Sequence, residues 1–272
     1  MATTYKSFLN NDVTSTRTLL HEAIPITGTI VSGTYSEAST TTSNIKNYAH
    51  GMFQSVYDYP YLSSSANHIF DLTCGYSADS TLSGVVGAVG GAAADQYKKI
   101  NLYNQMAQML VGHDISGNIR QFDQDGDLVA GGQKMTEVFF INYARLLNKD
   151  EIKKGSYSLT VDTGSTGCAP DSPLTILDFN AQNEFRVNSP AGEYGILYTG
   201  SAVPLTSSGV GHIYYQAGIV VLTASVFDGQ FGTCAATYDT SSVSAVLSGS
   251  NITASCDGIR NRLIMLLIIL RN

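Results

Sequence analysis

Between Arg186 and Asp228 the chain carries a single charged side chain, Glu193. The centre of that run reads Gly209-Val-Gly-His-Ile-Tyr-Tyr-Gln-Ala-Gly-Ile-Val-Val-Leu-Thr-Ala-Ser-Val-Phe227. Its β-branched and aromatic side chains suit a pleated surface, and Gly218 supplies the backbone freedom of a tight turn. The pattern predicts a strand over 212–215, a turn over 216–218 and a strand over 219–227. A stretch this apolar on both faces needs cover from a second sheet, a helix or another subunit. It holds no acid–base pair and no activated nucleophile, so it points to assembly before catalysis.

The rest of the composition agrees. Only 14% of the 272 residues are charged, against a usual ~25%. Ser, Thr, Gly, Asn and Tyr take their place. With 43% hydrophobic residues the chain buries a core readily, and charge-driven disorder is excluded. A net charge of −7 lacks the basic face of a duplex-binding protein. The lysine groups Lys98–Lys99 and Lys149, Lys153, Lys154 read as solvated faces. Cys74, Cys168, Cys234 and Cys256 form no Cys-x-x-Cys or zinc spacing. They read as small apolar residues of a reducing compartment, with a Cys234–Cys256 disulfide as the alternative. The first residues lack the apolar core of a secretory signal. The apolar run 263–270, between Arg262 and Arg271, is too short to span a bilayer. It is expected to be a buried terminal element or a truncated or frame-shifted end.

Four regions follow. Residues 1–40 read as an extended arm, 41–155 as helix-rich, 156–260 as β-rich and 261–272 as an atypical apolar tail. Ile45, Ala49, Met52, Phe53 and Val56 fall on one helical face, with Ser43 as cap and Pro60 as stop, predicting a helix over 43–59. A buried strand is expected over 67–76 and a small-residue loop over 77–94. Ile100, Tyr103, Ala107 and Leu110 predict a helix over 95–111 ended by Gly112. Val138, Phe139, Asn142 and Leu146 predict another over 134–147. The fold class expected is α+β, mostly β: an antiparallel β-sandwich-like body with a helical insertion of two to three helices.

Candidate chemistry is sparse. Asp162-Thr-Gly-Ser165 after an apolar run resembles the active-site loop of aspartic proteases, in which two such aspartates share a proton. One copy is present, and a strand running into a turn accounts for it. Asp123-Gln-Asp125-Gly-Asp127 resembles a calcium loop, but an EF-hand wants Gly sixth and Glu twelfth. Here Gly is fourth and Lys134 is twelfth. Asp123, Asp125 and Asp127 therefore stand as candidates for an irregular oxygen site, beside the plainer reading of a solvated acidic turn. The glycines over 84–91 match neither a dinucleotide fingerprint nor a P-loop. His21, His50, His68, His113 and His212 have no visible carboxylate pairing, and Asn251-Ile-Thr253 is a chance glycosylation match. No catalytic residue and no cofactor is expected.

Three blocks together carry a resemblance. They are Tyr97-Lys-Lys-Ile-Asn-Leu-Tyr-Asn-Gln-Met-Ala-Gln-Met-Leu-Val-Gly112, then Glu137-Val-Phe-Phe-Ile-Asn-Tyr-Ala-Arg-Leu-Leu-Asn-Lys-Asp-Glu-Ile-Lys-Lys-Gly-Ser156, then Tyr214-Tyr-Gln-Ala-Gly-Ile-Val-Val-Leu222. They resemble virion structural proteins of marine contractile-tailed bacteriophages, notably those infecting cyanobacteria, over about residues 10–260. The resemblance implies a non-enzymatic part of the tail, baseplate or neck. It implies assembly in the host cytoplasm, with other virion proteins and copies of itself as partners and neither nucleic acid nor membrane. Tyr194, Tyr198, Tyr214 and Tyr215 are the interface or core candidates, since tyrosine joins apolar area to a hydroxyl handle. The alternatives are a glycan-binding fibre or tip module and, third, the aspartic protease.

Overall fold

The computed structural model of the chain describes residues 21–22, 43–83, 93–128, 131–147, 150–162, 173–199, 209–227, 247, 252–253 and 255–256. Its strands are β1 (His21–Glu22), β2 (Ile45–Asn47), β3 (Gln54–Tyr57), β4 (His68–Tyr76), β5 (Phe122–Asp123), β6 (Lys134–Met135) and β7 (Glu137–Asn142). They continue with β8 (Glu151–Ile152), β9 (Ser158–Asp162), β10 (Pro173–Leu177), β11 (Arg186–Ser189), β12 (Gly192–Leu197), β13 (Gly211–Tyr214) and β14 (Ile219–Thr223). The helices are α1 (Ala93–Leu110) and the single turn α2 (Ala181–Glu184), with 3-10 turns at Ala144–Leu146 and Ala224–Phe227. The protein is therefore mostly β.

Eight strands form one antiparallel sheet in the order β11-β12-β13-β14-β7-β4-β3-β2. Its centre is the pairing of β7 with β14 on one side and β4 on the other, so that Phe139 lies beside Leu222 and Cys74, and Phe140 beside Val221 and Thr73. Strand side chains alternate between faces. On one face Leu72, Cys74, Phe139, Ile141, Val220, Leu222 and Ile213 share a core with Leu159 and Ile176 of the β9–β10 hairpin, with Phe227, and with Leu247, Ile252 and Cys256. On the other, Val138, Phe140, Val221, Tyr214 and Tyr194 pack with Tyr103, Ala107 and Leu110 of α1 and with Phe122 and Met135. The β13–β14 part of the uncharged run is thus covered on both faces by its own chain. Full burial of each large apolar side chain stabilises by ~1.5–3 kcal/mol. Glu193, the one charge in the run, accepts from the Lys154 ammonium at 2.6 Å.

α1 lies across β4 where Gly75 leaves room, and Gly112, at φ +76°, ends it. The expected hairpin is present as β13 and β14, with Gly218 at φ +66° in the turn. The second strand stops at Thr223, where a 3-10 turn begins.

Two expected helices are strands. Residues 43–59 form the β2–β3 hairpin, in which Ile45 and Val56 are cross-strand partners rather than neighbours on a helical face. Gly51, at φ +65°, breaks any helix there. Residues 134–147 form β6, β7 and a 3-10 turn. Val138-Phe-Phe-Ile141 is apolar without interruption because β7 is buried on both faces, a pattern that periodicity cannot separate from helix. Residues 247, 252–253 and 255–256 are helical as well, and among the described residues no helix is long and apolar enough to cross a membrane. Beyond the β1 residues His21–Glu22 the expected arm lies outside the described residues, as do the 84–91 loop, Cys168, Cys234 and the 261–272 tail.

Candidate functional site

Phe122 is the anchor of the acidic loop. Its ring sits edge-on to Tyr103 and Phe140, at centroid distances of 5.5 and 5.8 Å. That burial carries the next residue, Asp123, below the surface: it is 0% exposed although it is a carboxylate. One of its oxygens, Oδ2, accepts from the Lys134 ammonium across the β5–β6 pairing. The other, Oδ1, has no hydrogen-bond partner. Asp125 and Asp127 are exposed, and one carboxylate oxygen from each of the three aspartates lies within 4.8 Å of the others. Burial, opposed by Lys134, pushes the Asp123 carboxyl up, and the neighbouring Asp125 and Asp127 charges add to the rise.

The loop is held from β11 and β12. The Tyr194 hydroxyl lies 2.8 Å from both the Gly126 carbonyl oxygen and Asn188 Oδ1. The Asn188 amide donates to the Gly126 and Asp127 carbonyls at 3.1 and 3.3 Å. The Asp127 N–H donates to Asp125 Oδ1 at 3.1 Å. Gly132, at φ +66°, faces the carboxylates: a Cβ there would stand 3.3 Å from Asp123 Oδ1 and 3.8 Å from Asp125 Oδ2.

No known family model, curated protein or solved structure matches the chain.

The four tyrosines fall into different surroundings. Tyr194 and Tyr214 are fully buried and stacked, 5.0 Å apart, beside His212. Tyr215 is buried on the opposite face, where its hydroxyl donates to Asp178 Oδ2 at 3.2 Å. Tyr198 is half-buried, and its backbone exchanges two 2.9 Å hydrogen bonds with Leu177. The side chain of Asp162 and the loop after it lie outside the described residues.

Two further ionisable groupings have little trace in the sequence. His68 is paired after all: its Nε2 lies 2.7 Å from Asp71 Oδ1. Residues three apart on a regular strand face opposite ways, but a bulge opposite Val56–Tyr57 turns His68 to the side of Asp71. The Ser55 hydroxyl also donates to Asp71 Oδ1, at 2.5 Å, and Arg145 stands 3.7 Å from Oδ2. Burial alone would raise the Asp71 carboxyl, yet the hydrogen bonds from His68 and Ser55 and the charges of His68 and Arg145 bring it below the ordinary range. Both Ser55 and His68 bind the same acid, so the imidazole does not stand between hydroxyl and carboxylate as nucleophile activation requires.

The second is Asp178, beneath a cleft lined by 155–158 and 177–183. It accepts from the Gly155 and Tyr157 N–H groups at 2.6 and 3.0 Å and from Tyr215. Burial outweighs these bonds and pushes its carboxyl up to about 7. Its geometry is that of a lock between the 155–157 turn, β10 and β13.

Proposed function

We propose that this chain is a structural subunit of a tailed-bacteriophage virion, placed in the tail, baseplate or neck and acting by packing against other virion proteins and copies of itself. The observation that carries the packing role is an apolar patch at the C-terminal end of α1. Met109, Ile115, Ile119 and Val187 are exposed there, Ile115 completely and Val187 by 70%. They lie on adjoining segments: Ser189 Oγ donates to the Leu110 carbonyl, Gly112 abuts Pro190, and His113 bridges Ile119. Grouped apolar side chains of this kind mark protein contact surfaces more than they serve a lone subunit. The sheet edges suit joining less well, since β2 is three residues long and carries Lys46, and β11 is bulged and followed by Pro190. The blocks that resemble tailed-phage virion proteins supply the particle. On this reading the β9–β10 hairpin over the large sheet is the second layer of a sandwich-like body, and α1 is its helical insertion.

The glycan-binding alternative has one observation of its own. Tyr48, His50 and Phe53 cluster at the β2–β3 turn with centroids 4.8–5.2 Å apart, and partly exposed rings suit sugar faces. Antibody labelling of particles separates the readings. Signal within the tail or neck supports packing, signal at a distal tip supports glycan binding, and unlabelled particles refute both. The Ile115→Asp variant is expected to fold normally and fail to enter particles.

A further inference from the structure

We infer that the three aspartates at 123, 125 and 127, together with the space over Gly132, form a binding site for a hard divalent cation of calcium size. The inference stands apart from any role in a particle. It begins with Asp123 Oδ1, a carboxylate oxygen that is fully buried and has no donor. Leaving such an oxygen unmatched costs more than most single hydrogen bonds return, so native structures seldom keep one without a donor, an ordered water or an ion. The Lys134 ammonium is engaged at Oδ2 and does not answer for Oδ1.

The space in front of that oxygen is suitably bounded. Gly132 turns its bare α-carbon toward it, and the place a Cβ would take lies 3.3 Å from Asp123 Oδ1 and 3.8 Å from Asp125 Oδ2. A side chain there would fill the gap between the two carboxylates. Asp125 and Asp127 are exposed, which gives an ion a way in and leaves room for its waters.

Coordination geometry favours the larger ion. Carboxylate oxygens from all three residues lie within 4.8 Å of one another. Calcium accepts irregular sets of oxygens at ~2.4 Å, whereas magnesium at ~2.1 Å demands near-octahedral order and keeps several of its waters. The loop is also held before any ion arrives. Tyr194 and Asn188 fix the Gly126 carbonyl between Asp125 and Asp127. The EF-hand spacing is absent, so the site is an irregular oxygen cage fixed by the sheet rather than by paired helices.

Terbium luminescence on the full chain tests this. There is no tryptophan, so excitation passes through tyrosine, and the Tyr194 hydroxyl is hydrogen-bonded to the loop itself. We expect saturable sensitised emission that calcium reverses at concentrations at least tenfold lower than magnesium. Asp125→Asn with Asp127→Asn is expected to weaken terbium binding at least tenfold. Both residues are exposed, and the buried Asp123–Lys134 pair stays intact. Emission that never saturates, or that the double variant leaves unchanged, overturns the site. Independently of any variant, the thermal midpoint is expected to rise in calcium chloride and not in sodium chloride of equal ionic strength. An equal rise in both salts means charge screening alone and overturns it too.

Discussion

Replacing Gly75 by alanine tests how α1 is seated on the sheet. Gly75 lies in β4 opposite Val138, on the face that α1 covers. A Cβ at this position would stand 2.7 Å from the Lys99 carbonyl oxygen, 3.0 Å from the Tyr103 nitrogen and 3.2 Å from Tyr103 Cβ. The first two atoms are helix backbone and have no rotamer to move into. Relief therefore requires the helix to lift by ~0.5–1 Å, which forfeits a quarter to a half of the dispersion energy of each contact it loosens. Tyr103, Ala107 and Leu110 make those contacts. Overpacking costs ~1–3 kcal/mol, and the rigid backbone opposite places this case near ~3. The alanine returns ~0.4–1 kcal/mol by restricting the unfolded chain. A net loss of about 2 kcal/mol follows, or roughly 4–8 °C in Tm for a chain of this length. Gly51→Ala is the control. Nothing lies within 4 Å of its added methyl, so its cost comes from φ +65° alone, about 1 kcal/mol. Urea unfolding followed by circular dichroism measures both. A Gly75→Ala variant no less stable than Gly51→Ala would refute the seating of α1 on β4.

The buried acid and imidazole predict opposite pH effects. Asp178, pushed up to about 7 by burial, holds a proton in the folded state that the unfolded chain releases near 3.8, so its contribution to stability falls as pH rises from about 4 to 7. His212, pushed down to about 4 by burial, stays neutral when folded while the unfolded chain protonates near 6.5, so its contribution falls as pH drops from 6.5 to 4. Relative to the unmodified chain, Asp178→Asn should make stability climb more steeply with pH over 4.5–6.5, and His212→Asn less steeply; parallel urea-midpoint profiles rule this out. Lys99 is buried and donates to the Leu247 carbonyl at 2.5 Å and to Ser255 Oγ at 2.8 Å. Lys99→Met should cost about 3 kcal/mol and raise amide exchange at residues 247, 252–253 and 255–256 before the sheet exchanges, and unchanged exchange there counts against the clasp.

What the sequence discloses depends on how local the cause is. The β13–β14 hairpin is legible because Gly218 and the β-branched residues around it act within ten positions. α1 is legible because its apolar face repeats over three turns. β7 is misread as helix because burial on both faces erases the alternation that identifies a strand, and only its partners, β4 and β14, create that burial. The β2–β3 hairpin fails for a related reason: residues 45 and 56 suit one helical face and one cross-strand pair equally well. The aspartates are visible as a motif, but the burial of Asp123 depends on Phe122 meeting α1 and β7. The pairing of His68 with Asp71 depends on a bulge, and the role of Asp178 on Tyr215, 37 positions on. Composition leaves no mark of either.

The place of β7 in the sheet also sets a timetable. Its neighbour β4 is made first, but its other neighbour, β14, starts about 80 residues after β7 ends. At ~5–20 residues per second, a ribosome takes roughly 4–16 s to deliver it. Until then the strand that becomes the middle of the sheet is an unpaired margin carrying Val138, Phe139, Phe140 and Ile141. The residues that finish one face, Leu247, Ile252 and Cys256, arrive later still. The nascent chain therefore passes through a stage in which its most apolar strand is open to other nascent chains. Yield in the cell should depend on translation speed and on holding chaperones more than on the stability of the finished fold.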